Sequence, residues 1–380
     1  MFLVNFMNKI LIFYGSYGGG HLSAARNIRD YIENNYTDCE IQLVDCIEYI
    51  NKILNKVTTK AYTDFSRNAR WIWKQIYYGS EKGGLSKISN SINRVMAVKL
   101  NKLLQEFNPN LIISTHPFSS QMCAILKKKQ KINCKLATVM TDYAPHSQWL
   151  VAHEFVDYYF VAHEGMKEEL IERGVDSKKI FATGIPLSNR FLLSYNKSKI
   201  LAEYNLSPNK KTILFFAGGE FGFGKDKTFN MLKSIIDNFP YLQVIAIAGR
   251  NIKIKERFDE LVSATNSGDS VKILSYTNQV PELMSVADLV ITKPGGLTTT
   301  ESLASGLPLI VIDPLPGQEE ENAKFVEKNG AGIWIRKNDD IKTILLNIFN
   351  DTYKLQNMKI RARLIAKKNS TKDICETLLG

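Results

Sequence analysis

The residues best suited to chemistry stand in glycine-rich turns, each between an apolar run and a helical pattern. Gly15-Ser16-Tyr17-Gly18-Gly19-Gly20-His21 is the first such turn, and a helical face of Ala24, Ala25, Ile28, Tyr31 and Ile32 follows it. Glycines let a backbone approach a ligand closely, and a helix start offers free N–H groups and positive potential to an anion or a developing oxyanion. Gly19 and Gly20 therefore read as ligand-side backbone. At that helix start the protonated form of His21 is disfavoured by the dipole, which suits a neutral imidazole that takes a proton. The plain alternative is a solvent-facing histidine beside a tight turn. No Lys-Ser or Lys-Thr pair closes the segment, so it is not a Walker loop, and it lacks the spacing of a dinucleotide fingerprint.

Two more histidine loops end apolar runs in the same half: Ser114-Thr115-His116-Pro117, and Thr141-Asp142-Tyr143-Ala144-Pro145-His146-Ser147-Gln148-Trp149. Their placement predicts a pocket shared with His21. Asp142 can orient a histidine or act as a base, and Trp149 can supply an apolar wall or a membrane anchor. The alternatives are that His116 before proline only shapes a turn and that Asp142 caps a helix.

The second half carries the strongest local signal, Asp288 to Glu301, in which a strand pattern ends at Lys293-Pro294-Gly295-Gly296-Leu297-Thr298 and a helix pattern begins. Gly295 and Gly296 amides at a helix start suit a diphosphate, with threonine hydroxyls as further donors. Glu301 suits a ribose diol, since one carboxylate accepts from two hydroxyls; Thr298-x-x-Glu301 also fits a capping box. Gln318, Glu319 and Asn322 follow the next strand pattern and match sugar hydroxyls, or form a merely solvated acidic loop. Gly218 and Gly219, in a glycine run after another apolar segment, let backbone reach the same phosphates or form a flexible loop.

Elements that place these turns are legible as period and length. Six apolar runs alternate with helical patterns between Ile10 and Thr183, and six more between Thr212 and Ile335. That alternation is the pattern of βαβ units and parallel sheets, so two Rossmann-like doubly wound halves are predicted. The boundary falls in Gly184–Lys211, giving domains 1–192 and 193–380, with Thr352–Leu379 as helix that can pack back on the first domain. Ligands of such sheets bind beyond the carboxyl ends of the strands, so the loops above and a cleft between the domains are the expected site.

The 380 residues are 44% hydrophobic and 23% charged, which excludes disorder and low-complexity arrays as the main architecture. Five scattered cysteines, with no C-x-x-C pair or ligand-like histidine spacing, signal neither a disulfide frame nor a zinc site. A reducing cytoplasm fits. No run of apolar residues is long enough to span a bilayer, and the apolar start reads as a first strand. Of the net charge of +11, +8 falls between Lys56 and Lys102, beside Trp71, Trp73, Tyr77 and Tyr78. Such a segment suits an anionic lipid headgroup layer, with Arg67, Arg70, Trp71, Trp73 and Lys74 as its contacts; nucleic acid is the rival partner.

At these residues the chain resembles the family of monogalactosyldiacylglycerol synthases and bacterial processive diacylglycerol glucosyltransferases. The motifs are G-G-G-H at 18–21, H-P at 116–117, T-D-x-x-x-H-x-x-W at 141–149, G-I-P at 184–186, K-P-G-G at 293–296 and P-G-Q-E-x-E-N-A at 316–323. The resemblance implies an α/β GT-B fold and an inverting transfer of glucose or galactose from a UDP-sugar to 1,2-diacylglycerol. It implies His21 as base with Asp142 beside it; Gly19, Gly20, His116, His146 and Trp149 on the acceptor side; and Gly218, Gly219, Gly295, Gly296, Leu297 and Thr298 on the diphosphate. Glu301 would hold ribose, Gln318, Glu319 and Asn322 the hexose, and Arg250 and Tyr276 the uracil by position. No metal or other cofactor is expected, no nucleic acid partner, and a cytoplasmic, peripheral place on the inner face of the membrane. A UDP-GlcNAc-using transferase with another lipid-linked or soluble acceptor, or a UDP-sugar epimerase of the same fold, stays as the alternative.

Overall fold

In the computed structural model, which describes residues 8–15, 19–50, 100–217 and 225–380, the apolar runs form parallel strands. The first unit holds β1 (Asn8–Tyr14), β2 (Cys39–Asp45), β3 (Leu111–Ser114), β4 (Lys135–Val139), β5 (Tyr158–Phe160) and β6 (Ile180–Phe181). Their order is β2-β1-β3-β4-β5-β6, every neighbouring pair parallel. Ile10, Leu11, Ile12 and Phe13 are all fully buried, as a strand covered on both faces requires. The second unit holds β7 (Thr212–Phe216), β8 (Gln243–Ile247), β9 (Val271–Leu274), β10 (Leu289–Thr292), β11 (Leu309–Val311) and β12 (Gly332–Trp334), ordered β12-β11-β10-β7-β8-β9. Its core joins Ile213, Phe215, Val244, Leu289 and Ile310 to helix residues Leu232, Phe258 and Leu345.

In each sheet the strand order reverses once, between β1 and β3 and between β7 and β10. Such a switch point splays the outgoing loops apart and leaves a crevice at the carboxyl ends. The turn after β1 leads to His21, the loop after β3 carries Thr115 and His116, and the loop after β10 carries Lys293–Gly296.

The units divide at Ser188 and Asn189, with Pro316–Gln318 and Lys367–Gly380 counted in the first and Asn189–Leu315 with Glu319–Ala366 in the second. The last two helices thus separate: Thr352–Ile365 packs on the helix Gly296–Ala304, whereas Ser370–Leu379 packs on the helix Gly19–Asn35. Ile374, Cys375 and Leu378 enter the first core with Ile10, Ile28 and Ile113. Thr371 fastens this helix, its hydroxyl donating to the Leu187 carbonyl at 2.7 Å and accepting from the Leu187 amide at 2.8 Å. Gly184 lets the segment approach, because at φ +97° a side chain there would lie 2.4 Å from Lys367 Cβ.

Candidate active site

In the first unit the helix Gly19–Asn35 begins two residues before His21 and holds the half-buried imidazole at its first turn. His21 Nδ1 lies 2.6 Å from the Thr115 carbonyl oxygen and 3.1 Å from Thr141 Oγ1. A carbonyl only accepts, so Nδ1 carries the hydrogen and Nε2 keeps the lone pair. Thr115 braces the contact from its other side, its hydroxyl donating to the His21 carbonyl at 2.9 Å. Burial lowers the His21 pKa to about 4, against the opposing pull of the Thr115 carbonyl, so the imidazole is neutral at pH 7.

His116 stands edge-on to His21 with ring centroids 4.7 Å apart. It also caps the helix Pro117–Lys128, Nδ1 accepting from the Phe118 amide at 3.2 Å, so the turn-shaping role and the pocket position coexist. Burial, then the fields of His21 and His146, push its pKa well down. Gly15 makes room for it, since a side chain there would meet the His116 ring at 2.8 Å. His146 is held down to about 3, by burial first and then by His21 and Arg173. Its ring tilts against Trp149, which is 1% exposed; Trp149 is a buried wall, and the membrane-anchor reading of that residue is corrected. Asp142 is half-buried beside Thr141, and the partner at His21 Nδ1 is the Thr115 carbonyl, the orienting place that sequence reading offers to Asp142. Gly19 has open space where a side chain would begin, and Gly20 is half-buried next to it.

In the second unit Gly295 is the N-cap of the helix Gly296–Ala304, with open space at its Cα. Thr298 lies inside that helix, not at its cap, so Thr298-x-x-Glu301 is not a capping box. Leu297 is buried and Thr298 half-buried. Burial raises the Glu301 pKa to about 8, and among the described residues no hydrogen bond or ion pair engages its carboxyl. Arg250 and Tyr276, beyond β8 and β9, come together: the guanidinium sits 4.9 Å from the ring centroid, and the ring is 59% exposed.

The loop after β11 departs from its sequence reading. Asn322 is fully buried and its amide donates to the Pro294 carbonyl at 2.9 Å, so it braces the Lys293–Gly296 turn and does not present itself to a sugar. Glu319 accepts from the Leu315 amide at 2.6 Å, closing its own turn, while Gln318 is half-buried at the start of the helix Gln318–Lys328. Gly218 and Gly219, and Arg67, Arg70, Trp71, Trp73 and Lys74, lie outside the described residues. Among the described residues no group of three His, Cys, Asp or Glu side chains is placed to hold a metal, and no helix is long and apolar enough to cross a membrane. Sequence reading missed Thr115, Thr141 and Asn322 as positioning residues. The first two had one signal, their place at strand ends.

Residues 21–187 match the family model of monogalactosyldiacylglycerol synthase, and residues 225–378 match the C-terminal domain of glycosyltransferase family 28. The chain is 32% identical to a processive diacylglycerol beta-glucosyltransferase of Bacillus pumilus, covering 99% of this chain and 96% of that one. It is 34% identical to the Staphylococcus epidermidis protein of that name, covering 98% and 92%. Among solved structures it resembles S. aureus MnaA with UDP (TM-score 0.65, 13% identity, 98% and 96% covered) and Acinetobacter baumannii MurG (0.62, 12%, 97% and 98%). Those structures carry the fold alone. Two doubly wound parallel sheets of six strands, one in each unit, are the architecture of the GT-B fold, and the chain is a glycosyltransferase of that class. It belongs to the family of monogalactosyldiacylglycerol synthases and processive diacylglycerol beta-glucosyltransferases.

Proposed function

We propose that the protein transfers glucose from UDP-glucose to the free hydroxyl of 1,2-diacylglycerol with inversion, at the inner face of the cell membrane and without a metal. The observation that carries this reading is the His21 to Thr115 contact, which leaves Nε2 as the basic nitrogen at a helix start. Nε2 takes the glycerol proton as the oxygen attacks the anomeric carbon. The bond from that carbon to the phosphate oxygen breaks, and its electron pair leaves with UDP.

On the donor side, the Gly295 and Gly296 turn with its helix dipole stabilises the departing diphosphate, joined by Gly218 and Gly219. The unengaged Glu301 carboxyl takes the ribose hydroxyls, and the Arg250–Tyr276 pair flanks the uracil. Gln318 and Glu319 meet the hexose. On the acceptor side, His116, His146 and the Trp149 wall shape the pocket around His21. The relatives' names favour glucose, while the family model's name keeps galactose as the second donor to test.

A UDP-sugar epimerase is the second reading, favoured by the likeness of fold to UDP-GlcNAc 2-epimerase of Neisseria meningitidis at a TM-score of 0.61. UDP release from UDP-glucose, measured with and without diacylglycerol vesicles, separates the two. Lipid-dependent release supports the transferase; conversion of the donor without lipid supports the epimerase.

A further inference from the structure

The buried carboxylate of Asp288, just before β10, gathers three lysines: Lys359 at 2.7 Å, Lys211 at 3.2 Å and Lys197 at 4.0 Å. One carboxylate cannot neutralise three ammonium groups, and among the described residues these lysines have no other acidic partner. Lys211 and Lys197 keep 54% and 41% of their side chains in solvent. One turn beyond Lys359 on the helix Thr352–Ile365, Arg363 adds a further cation against Gly306, with no acidic partner among the described residues. From Thr352 to Lys372 the sequence has seven basic residues and no acidic one. The same helix exposes Ile360 (42%) and Leu364 (70%), one turn apart and so on one face.

Resting on the diacylglycerol reading above, we propose that this patch, Lys197, Lys211, Lys359 and Arg363 with Ile360 and Leu364, is a docking surface for an anionic lipid bilayer. Cations in excess of their one carboxylate are drawn to anionic headgroups, and exposed aliphatic side chains on the same helix as Lys359 and Arg363 enter the headgroup and acyl boundary. An exposed isoleucine and leucine beside the cations favour a bilayer, whose acyl boundary takes up both, over a phosphate backbone, which offers charge alone. The patch lies at the opposite end of β10 from the glycine turn, about 16 Å along the strand at roughly 3.3 Å per residue. Changes here therefore leave the reacting groups untouched.

The test is co-sedimentation of Lys197→Ala/Lys211→Ala/Leu364→Ser with vesicles of phosphatidylcholine alone or containing phosphatidylglycerol, with Lys129→Ala/Lys131→Ala as a control. Lys359 is kept because it neutralises Asp288. The triple variant should bind phosphatidylglycerol vesicles at least tenfold more weakly, on the order expected for two cations and one leucine. The control should bind as the wild type does, and UDP release with dispersed short-chain diacylglycerol should be unchanged in both. Equal binding by wild type and triple variant, no binding by wild type, or equal wild-type binding to both vesicle types would overturn the surface. So would loss of oligonucleotide binding in place of vesicle binding. Patch-dependent vesicle binding without UDP release from any diacylglycerol would uphold the surface and sink the functional reading instead.

Discussion

His21 Nδ1 meets the carbonyl oxygen of Thr115 at 2.6 Å, a contact between residues 94 apart in the chain. A backbone carbonyl here does what a carboxylate does in many hydrolases: it fixes the tautomer and the ring plane. Because a carbonyl is neutral, it raises the imidazole pKa less than burial lowers it, and the base form persists to about pH 4.

The first prediction is a pH profile. Protonation of His21 removes the base, so kcat/KM for diacylglycerol, measured with UDP-glucose kept saturating at every pH, should stay level from pH 7 to 5 and fall as pH drops through about 4. A limb near 6.5, the ordinary histidine value, would show that His21 is not held as the geometry describes.

Glu301 supplies the opposite sign. Its carboxyl is half protonated at about pH 8, and the ionised form accepts from both ribose hydroxyls. UDP affinity should therefore rise with pH, by roughly tenfold between pH 7 and 9, by linkage to a single proton. Calorimetric titration of wild type and Glu301→Gln checks this; the variant should bind more weakly and lose the dependence.

Asn322→Ala removes the donor to the Pro294 carbonyl from a fully buried site. The expected cost is about 1–3 kcal/mol in denaturant unfolding, with a raised KM for the UDP-sugar because the turn it braces loosens. Asn322→Asp keeps the size but not the donor and should behave alike. A direct sugar contact would instead change the preference between glucose and galactose.

Acid stability follows from His146, held neutral to about pH 3. The unfolded chain takes up a proton near 6.5 while the folded one does not. Stability is therefore fully present above 6.5 and declines as pH falls from there toward 3. Unfolding free energy measured from pH 7 to 4 should fall less steeply in His146→Gln than in wild type.

Gly184→Ala tests the fastening of the last helix. At φ +97° an alanine is strained, and its Cβ meets Lys367 Cβ at 2.4 Å, contact with a side chain's fixed end. A loss of about 1–3 kcal/mol is expected in urea unfolding, and Thr371→Val, which removes both bonds to Leu187, should lose a similar amount.

The sheets were legible because parallel strands covered on both faces read as apolar runs: Ile10–Phe13 and Ile213–Phe215 are buried along their whole length. The turns were legible because glycine clusters follow those runs. The partner of His21 was not legible, since a backbone carbonyl carries no side-chain signature and the pairing spans two strands of the sheet. Asn322 was misread for a related reason. An amide in an acidic loop suits a sugar or a neighbouring turn equally well, and only burial tells them apart. The separation of the last two helices was also hidden. Leu355 and Met358 of Thr352–Ile365 join the second core and Ile374, Cys375 and Leu378 of Ser370–Leu379 the first, and which core each helix joins depends on contacts far away in sequence.

The measurement closest to the central claim is UDP release from UDP-glucose in diacylglycerol vesicles by wild type and His21→Ala, with UDP affinity measured in parallel. The account predicts lipid-dependent release that falls at least a hundredfold, on the order of what a general base contributes, while UDP binding is unchanged. Release that survives in His21→Ala, or that proceeds equally without lipid, would contradict it.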